Sequence, residues 1–147
     1  MKTLWREDSR REIVERLANL NPDSKANWGK MNCPQMLAHV ADGMRMALGD
    51  LKTEPKKTPL RFRPVKHLII YWLPFPKGAP TAPELISRQA ENIETEVSEI
   101  KDLIEKFAGR SEIVEWAQHP AFGKLSGKDW GALGYKHIDH HLKQFGV

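Results

Sequence analysis

Three observations predict an all-α bundle of four principal helices in one domain spanning residues 1–147. Apolar residues recur at spacings of three and four in four segments, no segment reads convincingly as a strand, and Asn, Ser, Pro and Gly stand where helices start and stop. Residues 8 to 20 carry Ile13, Val14, Leu17 and Leu20 on one face among Arg and Glu, with Asp8 or Ser9 available as N-cap. Asn21-Pro22-Asp23-Ser24 breaks this first helix. The second is expected from Asn32 as N-cap, with Pro34 in a first turn that tolerates its missing N–H, to about Leu48, with Gly49 after it. Met36, Leu37, Val40, Met44 and Ala47 form its apolar stripe.

From Asp50 to Ala82 the periodicity fades and prolines accumulate at Pro55, Pro59, Pro64, Pro74, Pro76 and Pro80, which predicts a long connection with a short helix through Val65 to Trp72. Helical pattern returns at Pro83-Glu84-Leu85-Ile86 and runs to Phe107 as the third and longest helix, ended by Gly109. A short helical segment is expected over Glu112 to Ala117, and a turn at His119-Pro120-Ala121-Phe122-Gly123. Ser126 and Asp129 resemble a capping box that opens the last helix, through Gln144. The long crossover lets the third helix run parallel to the second, whereas short links force antiparallel neighbours.

Composition narrows the function classes. The chain is 40% hydrophobic and 29% charged, ordinary for a soluble domain, and its formal charge of +4 demands no nucleic-acid partner. The lone Cys33 excludes an intramolecular disulfide and the Cys-rich zinc modules, so a bound metal would be held by nitrogen and oxygen. No apolar run reaches signal-peptide length at the N-terminus, and the cluster Leu68 to Phe75 is far short of the ~20 residues of a spanning helix, so a cytoplasmic protein without a membrane partner is expected. Lys52, Lys56, Lys57, Arg61, Arg63 and Lys66 read as a solvated loop, with an anion or nucleic-acid contact as the alternative. Leu68-Ile69-Ile70-Tyr71-Trp72-Leu73 reads as core under that loop, with a membrane or dimer contact as the alternative.

Three histidines carry the chemistry. His137 and His141 are one helical turn apart and project from one face, where they can close on a single ion. His39 lies in the apolar stretch Met36-Leu37-Ala38-His39-Val40-Ala41, and a buried imidazole needs a partner. At about 100° per residue, Trp130, His137 and Gln144 fall nearly in line with His141 beside them, while His140 turns to the other side and Asp139 points toward solvent. Asp42, one turn beyond His39, could accept its second N–H or act as a ligand. His140 and Gln144 are further candidates around the ligands. Cys33 is about 120° around and roughly 9 Å along the helix from His39, outside the site. Each histidine has a plain structural reading: the pair at a helix C-terminus favours the negative end of the dipole, and His39 alone is a hydrogen-bonded core residue. Met36, Met44 and Met46 read as core filling. The three histidines together point to a metal site.

The segment from His119 to Ser126, Asp129-Trp130-Gly131 and the run His137 to Gly146, together with Trp28-Gly29-Lys30-Met31 and Met36-Leu37-Ala38-His39, resemble a bacterial family of unknown function within the DinB/YfiT-like superfamily. The resemblance spans most of the chain. It implies an up-down-down-up four-helix bundle and a divalent metal held by a histidine of the second helix and by the first and last histidines of a His-x-x-x-His on the last helix, here His39, His137 and His141. It also implies thiol-dependent chemistry, because relatives include S-transferases and an isomerase. The expected function is a metal-dependent hydrolase or thiol transferase with Zn²⁺ or Ni²⁺ on three histidines, an open coordination position, a small-molecule substrate and a low-molecular-weight thiol as co-substrate. The alternative is a non-catalytic module, stabilised by metal or forming a homodimer.

Overall fold

The computed structural model describes residues 1–78, 81–110 and 115–147. Within them are five α-helices and no strand: α1 (Glu7–Ala18), α2 (Cys33–Leu48), α3 (Arg63–Tyr71), α4 (Ile93–Ala108) and α5 (Gly127–Gln144). Single 3-10 turns lie at Pro59–Arg61 and Pro83–Leu85. Among the described residues no helix is long and apolar enough to cross a membrane.

α2 and α5, which carry the histidines, are the helices whose ends the sequence defines best. The Asn32 side chain accepts from the Gln35 N–H at 2.8 Å while Gln35 Oε1 accepts from the Asn32 N–H at 3.0 Å, so two orphan donors are satisfied reciprocally. Gly49 ends α2 at φ 83°, a left-handed conformation that glycine adopts without the Cβ penalty. Ser126 and Asp129 form the same box at the start of α5.

Two expected helix starts differ. Arg6, not Asp8 or Ser9, is the N-cap of α1 and makes no side-chain cap; Asp8 lies inside the first turn, paired with Arg6, and Ser9 is buried. The third long helix starts at Ile93, ten residues after Pro83, because Asn92 caps it by accepting from the Thr95 N–H at 2.7 Å. The preceding stretch is held out of helix by tertiary bonds. Arg88 reaches Asp42 on α2 and Glu96 on α4, and the Ala90 N–H donates to the Pro34 carbonyl at 3.1 Å. Of the segment expected to be helical over Glu112 to Ala117, residues 112–114 lie outside the described residues and 115–117 are not helical.

α2 packs most extensively on α4, and α5 contacts α1, α2 and α3. Leu37, Val40, Ile100, Ile104, Phe107, Ile138 and Leu142 are fully buried between them. Each is worth about 1.5–3 kcal/mol of apolar transfer, which makes these faces the source of the helices' stability rather than propensity. The N-terminal segment closes the far side. A Cβ on Gly131 would lie 2.2 Å from Trp5 Nε1, so only glycine admits the Trp5 ring there. Asp139, expected to be solvated, instead ties α5 to α1 through Arg16 at 2.8 Å.

The connection also departs from expectation. Several of its cations are bound to backbone rather than solvated: Lys56 donates to Thr81, Arg61 to Lys56 and Lys66 to Lys124 carbonyls. In the Leu68–Leu73 run only Ile70 is buried, while Leu68 (47%), Leu73 (45%) and Trp72 (80%) are exposed on α3 and after it.

Candidate metal centre

The faces of α2 and α5 bring His39, His137 and His141 together. One ring nitrogen from each lies within 4.8 Å of the others, and the nearest pair, His39 Nε2 and His137 Nε2, is 2.8 Å apart. The one-turn spacing on α5 sets His137 and His141 side by side, and His39 meets them from the middle of α2.

Bonds on the outer side of two rings determine which nitrogen faces inward. His39 Nδ1 is 2.9 Å from the Leu85 carbonyl oxygen, which can only accept. The proton is therefore on Nδ1, and Nε2 presents a lone pair. At His141 a relay gives the same result. Gln144 Nε2 donates to the Trp28 carbonyl at 2.6 Å, which turns Gln144 Oε1 toward His141 Nδ1 at 2.8 Å, so Nδ1 donates and Nε2 is left free. With His39 Nε2 an acceptor, His137 Nε2 is the donor in their contact.

Burial keeps the three imidazoles neutral. It pushes His141 down to about 3, reinforced by His39 and opposed by the Gln144 bond. His137 is held well below its ordinary value by burial and then by its histidine neighbours. His39 is lowered by burial, partly offset by the Leu85 carbonyl and Asp42. Neutral imidazole is the ligating form, so these groups need lose little to protons at pH 7.

The donor set fits a divalent transition metal. Four-coordinate zinc with nitrogens at about 2.0–2.1 Å keeps its ligands about 3.3 Å apart, inside the 2.8 to 4.8 Å spanned here. The histidines line a cavity of about 590 Å³, whose wall also includes Trp28, Met44, Phe122, Trp130 and Leu133. That is within the ~300–1,000 Å³ of small-molecule sites.

A family model described as "Protein of unknown function (DUF1569)" matches residues 5–146. The chain belongs to DUF1569. No curated protein and no solved structure matches it. For this DUF1569 chain the case for function therefore rests on the site's geometry.

The candidates around the histidines separate. Gln144 bonds His141 directly. Asp42 does not bond His39; it pairs with Arg45 at 2.5 Å and Arg88 at 3.1 Å, and the Leu85 carbonyl takes the imidazole N–H instead. His140 lines the cavity against the Trp28 ring (5.6 Å between centroids) and the Phe75 ring (5.9 Å), outside the three-histidine cluster. Sequence reasoning missed three contributors. Leu85 acts through a backbone carbonyl, which no side chain announces. Gly43 lets His137 lie on α2, since a Cβ there would sit 3.1 Å from its Cε1, and a glycine inside a helix was the available signal. His119, placed only in a turn, also lines the cavity.

Proposed function

We propose that this chain is a metal-dependent enzyme in which His39, His137 and His141 hold one divalent ion, zinc or nickel, at the head of a small-molecule cavity. The observation that carries the reading is the outward anchoring of two imidazoles, His39 on Leu85 and His141 on Gln144, which leaves their Nε2 atoms directed at a common point. Three protein ligands beside a cavity is the arrangement of catalytic rather than closed structural sites. The bound ion would supply Lewis acidity and lower the pKa of a water or thiol at its open position. The chain's own residues do the rest: Leu85 and Gln144 fix ring orientation, and Met44, Leu133 and Trp130 exclude water from the cavity wall.

The resemblance to the DinB/YfiT-like superfamily supports an up-down-down-up bundle and a low-molecular-weight thiol as co-substrate. Thiol transfer is therefore the first reaction to test. Metal-loaded protein should accelerate addition of a small thiol to an electrophile, and chelation should abolish the rate. A thiol panel with no metal-dependent turnover would retire this chemistry.

One observation favours a second reading, a metal-stabilised module that dimerises. Phe62 (68%) and Trp72 (80%) are exposed at the two ends of α3. A dimer dispersed by Trp72→Glu, with no turnover in the panel, would support it.

A further inference from the structure

His119 is half-buried on the loop before α5, and its ring is fixed more firmly than a turn residue requires. Its Nδ1 accepts two backbone N–H groups, from Ala121 at 3.1 Å and Phe122 at 3.2 Å. Accepting both demands a lone pair at Nδ1, so the ring proton sits on Nε2. The turn that supplies these donors is itself pinned. The His119 N–H donates to the Gly123 carbonyl at 3.0 Å, the Gly123 N–H returns to the His119 carbonyl at 2.8 Å, and the Pro120 and Ala121 carbonyls accept from the Lys56 N–H and the Thr58 hydroxyl. Phe122 and Trp130 pack on the ring at centroid distances of 4.9 and 5.6 Å. Rotating the imidazole would break two hydrogen bonds and this packing.

The Nε2–H meets no acceptor among the described residues, although His119 lines the cavity. A second donor lining the same cavity is also unanswered: Trp28 Nε1 is buried without a hydrogen-bond partner. Buried donors are normally satisfied, so the buried Trp28 Nε1, left over beside the unpartnered His119 Nε2–H, marks a place around the cavity that a ligand acceptor would fill. Around them the wall is apolar, with Met44, Ala47, Leu60, Ile69 and Leu133. Burial pushes the His119 pKa down to about 4, so the group donates as a neutral imidazole. A neutral donor in an apolar surround suits a neutral acceptor such as a carbonyl oxygen.

We propose that the cavity takes an apolar carbonyl compound and that His119 Nε2–H is the fixed donor to its oxygen. This rests on the cavity being the substrate site of the proposed enzyme, and it adds the substrate class and a positioning residue to that reading.

The test compares equilibrium binding of 2-acetylnaphthalene and 2-ethylnaphthalene, which differ in the carbonyl, to the full metal-loaded chain, with metal content measured on every sample. Wild type should prefer the ketone about tenfold, the size of one well-made hydrogen bond. His119→Asn keeps an acceptor for the Ala121 and Phe122 N–H groups but has no donor at the Nε2 position, so it should bind both compounds alike with metal content unchanged. His119→Gln keeps an N–H near that position and should retain part of the preference. Independently of any variant's folding, the His119 Nε2–H resonance of ¹⁵N-labelled wild type should move on adding the ketone and stay in place with the hydrocarbon. Equal binding by wild type, a ketone preference retained in His119→Asn, or an unmoved resonance would overturn the proposal. Loss of metal from wild type would sink the metalloenzyme reading while leaving the ketone preference to be measured.

Discussion

Gly43 on α2 lies directly against the ring of His137 on α5: a Cβ built on it would sit 3.1 Å from His137 Cε1 and 3.3 Å from Nδ1. A helix-interior glycine costs about 0.8–1.0 kcal/mol of propensity relative to alanine, and here that cost coincides with the close approach that brings the third imidazole to the other two. Gly43→Ala should therefore shift His137 by a few tenths of an ångström and weaken metal binding about tenfold, with little loss of metal-free stability. Chelator competition alongside thermal melts checks this. Unchanged affinity would mean that the ring position is not held by α2.

Gln144 sets the His141 tautomer, with its own amide oriented by the Trp28 carbonyl. Gln144→Leu removes the acceptor and should reduce metal affinity about 10- to 100-fold, the usual effect of losing an outer hydrogen bond to a ligating imidazole. Gln144→Glu restores an acceptor for His141 and should recover part of it. Equal affinity in wild type and the Leu variant would show that packing alone orients His141.

His119 gives the pH dependence a sign. Folded, it takes up a proton near pH 4; unfolded, near 6.5. Between those values the unfolded chain binds the extra proton, so the contribution to stability is complete above about pH 6.5 and is lost as pH falls toward 4. From pH 7 to 5 the loss should reach about 2 kcal/mol. Urea denaturation at both pH values should show that His119→Asn loses less than wild type by roughly this amount. An identical loss in the two proteins would show that the fold does not hold His119 neutral over this range.

How much was legible in the sequence follows from which interactions are local. α2 and α5 were readable almost to the residue because Asn32 with Gln35, and Ser126 with Asp129, satisfy helix ends within four positions. The convergence of His39, His137 and His141 was legible because one-turn spacing and an apolar stripe both constrain direction. The start of α4 was not, since Pro83-Glu84-Leu85-Ile86 imitates a helix start while the ties of Arg88 to Asp42 and Glu96 are tertiary. The same ties explain why Asp42 does not serve His39. The Leu85 carbonyl could not be foreseen, because every residue carries one.

Arg88 clamps the stretch that delivers that carbonyl. Asp42 and Glu96 are nearly buried, with side-chain exposures of 7% and 9%. Arg88→Met leaves Glu96 without this partner while Asp42 keeps Arg45, so the cost should be about 1–3 kcal/mol, that of leaving a nearly buried acceptor without its hydrogen bond. Metal affinity should fall with it as Leu85 is freed. A melting temperature within a degree or so of wild type would show that the clamp is not structural.

The most direct test is elemental analysis of protein purified without a metal-affinity column, run on wild type and four single variants. The expected result is about one divalent transition metal per chain in wild type and in His140→Ala, and loss of that metal in His39→Ala, His137→Ala and His141→Ala, because only those three imidazoles converge. Full metal content in His39→Ala, or loss in His140→Ala with retention in His141→Ala, would contradict the site.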